Sequence, residues 1–172
     1  MSDFFTTLRR RHSVRHYQPD MPVEAGKLHA ILESALSAPS AGDLQAYQIG
    51  VIEDVDRRAA LARIAGQDFI AEAPVCLVFC TDAERSALAF GERGRALYAL
   101  QDATIAAAYA QLAAVAAELG SAWVGYFDGA EIARLLELPP TLNPVALLTL
   151  GYPAELPEPT TRRHLDEVVF RP

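Results

Sequence analysis

Four arginines stand close together near the beginning of the sequence, in the stretch RRRHSVRHY: Arg9, Arg10, Arg11 and Arg15. The chain has a formal net charge of −7 and only 15 lysines and arginines, so this cluster opposes the overall sign. Arginine binds phosphate through two parallel N–H donors, and the hydroxyl of Ser13 adds another donor. The cluster therefore predicts an anion site, and a solvated basic turn at the end of a first helix is the alternative.

A second basic pair, Arg162–Arg163, lies near the other end of the sequence. If both ends of the chain fold to one place, the two groups of arginines form a single phosphate clamp. The functional interpretation depends on this convergence of guanidinium groups.

A predicted loop of short side chains with one glycine lies at Pro39–Tyr47 (PSAGDLQAY). Small residues let the backbone approach a flat ligand closely, and a plain helix-to-strand connection fits the same composition. No Gly-x-Gly-x-x-Gly fingerprint, Walker loop or Gly-x-Ser-x-Gly elbow occurs. The histidines and cysteines also lack metal-ligand spacing, so no metal is expected. What remains suits a protein that holds a cofactor and lets the cofactor react.

The composition excludes several other classes of protein. With 172 residues, 51% hydrophobic and 22% charged, the chain is expected to form one globular domain, residues 1–172. A pI near 5.0 argues against nucleic-acid binding, and no apolar stretch suits a membrane span. Cys76 and Cys80 lie in an apolar strand and are interpreted as reduced core residues. No signal peptide is recognised, so a cytoplasmic protein is expected.

Apolar periodicity and chain-breaking residues predict helices at Ser2–Arg10, Val23–Leu36, Val55–Ala65, Arg95–Leu119 and Ala130–Leu136. Predicted strands are Gln48–Glu53, Pro74–Thr81, Ser121–Phe127 and Pro144–Leu150. Val168–Phe170 is a candidate edge strand, either on the sheet of its own chain or on a partner's. Asp82–Arg95 is expected to be polar and irregular, with part of it helical. The predicted helix caps are Ser2, Asp54 and Asp128. Strands separated by helices indicate a layered α/β sandwich, and the direction of the strands is left open.

The long helix contains an uncharged stretch, Ala103–Ala117, in which nine of fifteen residues are alanine. A helix that is apolar all round is expected to be buried on all sides. Alanine lets neighbouring backbones come close, so the helix is predicted to be both the axis of the domain and a contact between two subunits.

Five segments in this order resemble the nitroreductase-like flavoprotein family over nearly the whole chain: RHSVRHY, APSAGDLQAY, GQDFIAEAPVCLVF, LGSAWVGYFD and PVALLTLGYPAE. The resemblance implies an α/β (α+β) three-layer sandwich, with a mixed sheet flanked by helices, that forms an intertwined homodimer. It implies one FMN per subunit at the interface and NADH or NADPH as reductant. Nitroaromatics, quinones or similar flat acceptors would then be reduced in ping-pong order by hydride transfer through flavin N5.

The resemblance also assigns roles to individual residues, none of them catalytic in its own right because the chemistry is centred on the flavin. Arg11 and Ser13 would hold the FMN phosphate and ribityl chain. Arg15 would lie beside N1 and O2, where a cation favours the reduced flavin, and Gly125 would point its N–H at N5. His12, Gln67 and Val124 are further expected contacts. Four loop residues would come from the other subunit: Pro39, Ser40, Ala41 and Asp43. Arg162 or Arg163 would bind the phosphate.

Two departures from the family pattern affect the expected site. Asp43 stands where the family usually has Asn, so an amide donor is replaced by an acceptor-only carboxylate when ionised. That side chain would have to point away, be protonated or pair with an arginine. Ala46-Tyr47 replaces the family's Pro-Trp and should alter the wall of the pocket.

Two other functions fit the same sequence. One is a specialised flavin enzyme of the same fold, performing reductive dehalogenation or flavin destruction, for which only Asp82–Arg95 offers room for a lid. The other is a non-catalytic dimer that binds a phosphate ligand or a protein partner, which Asp43 would favour if it spoils the flavin site.

Overall fold

The structure is a computed structural model that describes residues 3–171. Its helices are α1 (Phe4–Arg10), α2 (Ala25–Leu36), α3 (Val55–Ala65), α4 (Phe69–Glu72), α5 (Ala83–Arg93), α6 (Ala99–Ala116) and α7 (Gly129–Leu135). Its strands are β1 (Tyr47–Ile52), β2 (Val75–Asp82), β3 (Gly120–Val124) and β4 (Leu142–Gly151). Short 3₁₀ turns lie at Ala41–Asp43 and Leu165–Glu167, and a π-helical turn spans Gly94–Tyr98.

The four strands form one sheet in the order β1-β2-β4-β3, and each neighbouring pair is antiparallel. The parallel component is an isolated bridge between Ser13 and Ser121 at the outer edge of β3. The apolar sequence of β2 is explained by its position between β1 and β4, where its first seven residues are buried.

Helices cover both faces of the sheet, which confirms the three-layer sandwich. On one face, α3, α4 and α7 pack against alternate strand residues, and this core includes Leu61, Ile70, Val78, Ile132 and Leu147. On the other face, α2 and α6 pack against the intervening residues, and this core includes Ile31, Ala35, Leu77, Ala107 and Leu148. The alternation of side chains along each strand divides the apolar residues between the two layers.

Asp54 and Asp128 cap α3 and α7, as predicted. Each carboxylate accepts a hydrogen bond from the backbone N–H three residues ahead, at 2.8 Å and 3.0 Å respectively. The predicted cap Ser2 lies outside the described residues. Asp3 caps α1 instead, by accepting a hydrogen bond from the backbone N–H of Thr6 at 3.0 Å.

Asp82–Arg95 was expected to be irregular and in part helical, and the structure shows that most of this segment is helix α5. Asp82 caps the helix by accepting from the backbone N–H of Arg85 at 3.0 Å. Gly91 has a left-handed φ of 59° and breaks the helix. The chain then turns so tightly that a Cβ on Gly94 would lie 2.5 Å from the Ser86 carbonyl oxygen. The long helix consequently begins at Ala99 rather than at Arg95.

Two other sequence predictions involve surfaces that a single chain leaves exposed. Val168–Phe170 forms no strand on the sheet of its own chain and stays exposed after the 3₁₀ turn, whereas its pairing with a partner's sheet stays a prediction. Within a single chain, helix α6 is buried on one face, and the predicted contact of its other face with a second subunit stays a prediction. Its inner alanines are inaccessible, whereas Leu100 is 43% exposed and Tyr109 is 40% exposed on the outer face of a single chain.

Tyr17 fixes the segment that follows α1 onto the sheet. Its hydroxyl donates to the Val14 carbonyl at 2.8 Å and lies 2.6 Å from the hydroxyl of Thr149 on β4. The Thr149 hydroxyl in turn accepts from the Ala122 N–H on β3 at 3.1 Å. Burial raises the pKa of Tyr17, so the phenol remains a neutral hydrogen-bonding group at physiological pH.

No helix among residues 3–171 combines the length and the apolar character that a membrane span requires.

Candidate functional site

A cavity of about 330 Å³ lies between segments from the two ends of the chain. Arg11 and Arg15 line it from the N-terminal side, and Arg162 lines it from the C-terminal tail. The other lining residues are His12, Ser13, Pro157, Glu158 and Thr160. The structure thus brings guanidinium groups from opposite ends of the sequence together; we call this space the arginine cavity. Arg163 is not among the residues that line it.

The N-terminal wall of the arginine cavity is positioned by its attachment to β3. The Val14 N–H donates to the Ser121 carbonyl at 2.9 Å, and the Val14 side chain is buried. Side chains alternate along an extended segment, so burial of Val14 turns its neighbours Ser13 and Arg15 toward the cavity.

The tail is positioned by hydrogen bonds to the same N-terminal segment. The Ala154 N–H donates to the His16 carbonyl at 2.9 Å, and the Gln18 side-chain amide donates to the Pro153 carbonyl at 2.9 Å. The His16 imidazole also lies 3.8 Å from the carboxylate of Glu155. These contacts start the tail along the surface that carries the arginines, and prolines keep its backbone extended beyond them.

The arginine cavity carries a positive charge that the protein does not neutralise. Three arginines line it against one acidic residue, Glu158. Among residues 3–171, none of the three arginines forms an ion pair with a carboxylate. The Arg15 guanidinium carbon lies 5.8 Å from the centroid of the Phe69 ring, which fixes its direction by a cation–π contact. In an acidic chain, this arrangement is suited to binding an anion.

A second cavity, of about 630 Å³, lies at the beginning of α6. Pro39, Ser40 and Ala41 line one side of it, and the remaining lining residues are Tyr98, Leu100, Gln101, Asp102, Thr104 and Ile105. We call this space the loop cavity. It shares no lining residue with the arginine cavity, so within one chain the structure separates the predicted loop contacts from the predicted phosphate contacts.

Asp102 fixes the loop, and sequence reasoning missed it. The residue is 2% exposed, and its carboxylate accepts hydrogen bonds from the backbone N–H groups of Ala41 at 2.9 Å and Ala46 at 3.3 Å. It therefore holds both ends of the turn that contains Asp43. A signal was available in the sequence, because Asp102 is the only charged residue of α6. An ionised group at a buried helical position usually has a specific partner.

The turn held by Asp102 contains residues in uncommon backbone conformations. Gly42, Asp43 and Gln45 all have left-handed φ values, of 58°, 56° and 48°. Aspartate and asparagine tolerate this region better than most other residues. The Asp43 side chain is exposed, and it forms no ion pair with the described part of the chain. Its predicted pairing with an arginine is therefore not made within one subunit.

The arginine cavity and the loop cavity lie near opposite ends of α6. Asp102 belongs to the loop cavity, whereas Val115 lines a small pocket that also includes His12 of the arginine cavity. At about 1.5 Å per helical residue, Asp102 and Val115 are roughly 20 Å apart. A mononucleotide in the arginine cavity would thus lie far from the loop of its own chain.

The other predicted contacts lie outside both cavities. Gly125 directly follows β3 and is exposed. The Val124 side chain is 6% exposed and packs in the core, so only its backbone is available to a ligand. Gln67 is exposed and lies just before α4, the helix whose Phe69 contacts Arg15.

Arg58 holds α4 in place and was not identified from the sequence. This buried arginine donates to the carbonyl of Ala71 at 2.8 Å and to the carbonyl of Ala73. Both carbonyls lie at the end of α4, so the guanidinium fixes the helix that supports Arg15 through Phe69.

Comparison with known proteins identifies similar sequences and structures. The family model described as the Nitroreductase family matches residues 8–68 and 65–152. A Thermus thermophilus protein named NADH dehydrogenase is 35% identical, covering 98% of this chain and 95% of its own length. The Bacillus subtilis FMN reductase [NAD(P)H] is 32% identical, covering 90% of this chain and 68% of its own. The structure of Bacillus megaterium NfrA2 superimposes with a TM-score of 0.91 at 29% identity, covering 99% of this chain and 74% of that one.

Replacing Asp102 should loosen the loop. In Asp102→Ala, two inward-facing N–H groups lose their acceptor, and we expect the free energy of unfolding to fall by about 2–4 kcal/mol. Asp102→Asn keeps one carbonyl oxygen as acceptor and should lose about half as much. Chemical denaturation measures the stability, and amide hydrogen exchange at Ala41 and Ala46 measures the local effect.

Asp20→Ala is the matched control, because Asp20 is an exposed acidic residue in a turn. It should change neither stability nor exchange at the loop. Unaltered exchange at Ala41 and Ala46 in Asp102→Ala would contradict the assigned role of the carboxylate.

Proposed function

The chain belongs to the nitroreductase family, and from this premise we propose that it acts as an FMN-dependent NAD(P)H oxidoreductase. Its acceptors are nitroaromatics, quinones or similar flat molecules, reduced in ping-pong order. When bound, FMN supplies the hydride-carrying atom N5, and the protein binds and orients the reactants. The observation that carries the proposal is the convergence of Arg11, Arg15 and Arg162 on one cavity. The name of the Bacillus subtilis relative, FMN reductase [NAD(P)H], supports the choice of cofactor and reductant.

The donors of the arginine cavity fit an FMN phosphate. Arg11 and Arg162 supply guanidinium groups that can bind phosphate oxygens in pairs, and the Ser13 hydroxyl is available to the phosphate or the ribityl chain. His12 lines the same wall and adds a ring donor or acceptor. Placement of Arg162 rather than Arg163 on the cavity favours Arg162 as the tail's phosphate ligand.

Arg15 is the residue that tunes the flavin in this proposal. Its guanidinium is held against Phe69 and has no carboxylate partner among residues 3–171. A fixed cation beside N1 and O2 stabilises negative charge on that edge of the ring. Gln67, two residues before Phe69, is proposed as a further contact of the same polar edge. Gly125 and the backbone of Val124 are assigned to the N5 side.

We further propose a homodimer in which each flavin site uses residues from both subunits. The loop residues Pro39–Asp43 lie at the end of α6 that is remote from the arginine cavity of their own chain. A second copy of the chain can bring its loop to that cavity. The exposed apolar residues on the outer face of α6, Leu100 and Tyr109, support an interface along this helix.

The proposed compartment is the cytoplasm, and each subunit is proposed to be one domain of residues 1–172. Burial raises the pKa of Cys76 to about 12 and that of Cys80 to about 11, so both remain neutral thiols. Free buried thiols are usual in a reducing compartment.

The function is tested by the visible absorption spectrum and by the oxidation of NADH or NADPH. The purified protein should show flavin absorption, or acquire it on addition of FMN, and should oxidise a reduced nicotinamide nucleotide when a quinone is supplied. A colourless protein that takes up no FMN would contradict the proposal. Flavin binding without quinone-dependent oxidation would favour the non-catalytic alternative.

The phosphate clamp is tested by comparing FMN with riboflavin, which lacks the phosphate. Arg11→Ala and Arg162→Ala should each weaken FMN binding by about tenfold or more, because a charge-assisted hydrogen bond is worth roughly 1.5–3 kcal/mol. Riboflavin binding should change little. Fluorescence titration of the apoprotein measures both affinities.

Arg163→Ala is the matched control for the clamp, since it removes the same charge from the adjacent position. Its effect on FMN affinity should be much smaller than that of Arg162→Ala. Equal losses for FMN and riboflavin in Arg11→Ala would show that this arginine does not act on the phosphate.

Arg15 is tested separately, by rapid-mixing measurement of flavin reduction by NADH. Arg15→Ala should slow reduction by about tenfold or more while weakening FMN binding less, because the cation acts mainly on charge that develops during reduction. Arg15→Lys, which keeps the charge, should recover part of the rate. Equal loss of rate and binding would assign Arg15 to the clamp instead.

A further inference from the structure

A third set of contacts, outside the arginine cavity, holds another arginine in a fixed position. The Nε of Arg93 donates to the Tyr98 hydroxyl at 2.9 Å, and the guanidinium carbon lies 5.6 Å from the centroid of the same ring. Among the described residues, Arg93 forms no ion pair with a carboxylate, and no acceptor is found for its two Nη groups. Its neighbour Arg95, by contrast, is engaged by Glu84 and Glu92.

The direction of this guanidinium is fixed by the turn between α5 and α6. The Tyr98 ring packs edge-on against Phe90, with ring centroids 5.2 Å apart. Because Gly94 has no side chain, the π-helical turn can pack closely against the Ser86 carbonyl of α5. Because the aromatic support is already ordered, binding through Arg93 costs less side-chain entropy than binding through a free surface arginine.

Tyr98 connects Arg93 to the loop cavity. The ring lines this cavity together with Pro39, Ser40 and Ala41. In the proposed dimer, that loop meets the flavin of the other subunit. Arg93 then lies beside the space through which the second ligand reaches the flavin.

We infer that Arg93 is a binding residue for a phosphate of the nicotinamide dinucleotide reductant. The inference rests on the proposed function, which supplies one strongly anionic ligand besides the resident FMN, namely NADH or NADPH, whereas quinones and many nitroaromatics are neutral. The protein's net charge of −7 repels such a ligand, and a local guanidinium offsets that repulsion. With Nε bound to Tyr98, the two Nη groups are directed to the phosphate oxygens.

The experiment compares Arg93→Ala with the parent enzyme in steady-state kinetics, using a neutral quinone as acceptor. The KM for NADPH, for NADH or for both should rise by about tenfold to a hundredfold. The kcat and the KM for the quinone should change little. A rise for NADPH alone identifies the 2′-phosphate as the bound group, and a rise for both identifies the diphosphate. In the parent, the KM should also increase with ionic strength more steeply than in the variant.

Two further variants separate a specific contact from a general charge effect. Arg93→Lys keeps the charge but loses the planar fork, and should give an intermediate KM. Arg57→Ala removes the same charge from an exposed position on α3, away from both cavities, and should match the parent. An unchanged KM for both dinucleotides in Arg93→Ala would overturn the inference. An equal rise in Arg57→Ala, or an equal rise in the KM for the neutral quinone, would also overturn it.

Calorimetric titration of the FMN-loaded protein with NADP⁺ and NAD⁺ gives a readout that needs no turnover. Arg93→Ala should weaken the binding of at least one of them, and equal affinities in parent and variant would contradict the inference. Failure to take up FMN contradicts the proposed function instead. A normal flavin spectrum with unaltered dinucleotide affinity therefore removes the role of Arg93 and leaves the proposed function in place.

Discussion

Like charges are held together in this protein by neutral contacts. Arg11, Arg15 and Arg162 repel one another, and each surface pair costs on the order of 1 kcal/mol or less in a high-dielectric setting. Burial of the Val14 and Tyr17 side chains contributes more, roughly 1.5–3 kcal/mol for each large apolar group. Backbone hydrogen bonds to β3 and to the tail add to this. The fold thus tolerates a cluster of like charges, and a phosphate bound there, as proposed, would relieve their repulsion.

Helix α6 sets the distance between the loop cavity and the arginine cavity of one chain. Asp102 fixes the loop cavity near one end, and Val115 lies beside His12 near the other. In an isologous dimer, the same surface of each copy meets its equivalent. If α6 packs antiparallel to its copy, the loop end of one helix meets the arginine end of the other, and each flavin site becomes complete. The outer face of α6 carries no charged residue, and this suits the proposed interface, where an unpaired charge would be costly.

Local chemistry made much of the secondary structure predictable from the sequence. Two kinds of feature were predicted because they depend on residues close in sequence: the helix caps Asp54 and Asp128, and the apolar strand β2. Helix α5 was anticipated only in part, because Gly91 interrupts the segment with a left-handed backbone conformation. Val168–Phe170 was a candidate edge strand on β-propensity, but tertiary contacts and not propensity alone decide whether a segment joins its own sheet. The convergence of both chain ends could be suggested from charge, but the contacts of Asp102, Arg58 and Arg93 depend on tertiary packing that no local pattern encodes.

Asp43 shows why a departure from the family pattern is compatible with the site. Its backbone has a φ of 56°, which aspartate and asparagine both tolerate, so the shape of the turn does not require the amide. What changes is the side chain, which becomes a negative charge on an exposed loop. In the proposed dimer, this loop approaches the other subunit's arginine cavity, where three arginines face one glutamate. A carboxylate brought there would be attracted by the unpaired guanidinium groups. The charge that would repel a reduced flavin would then be offset by the same arginines that are proposed to bind the cofactor.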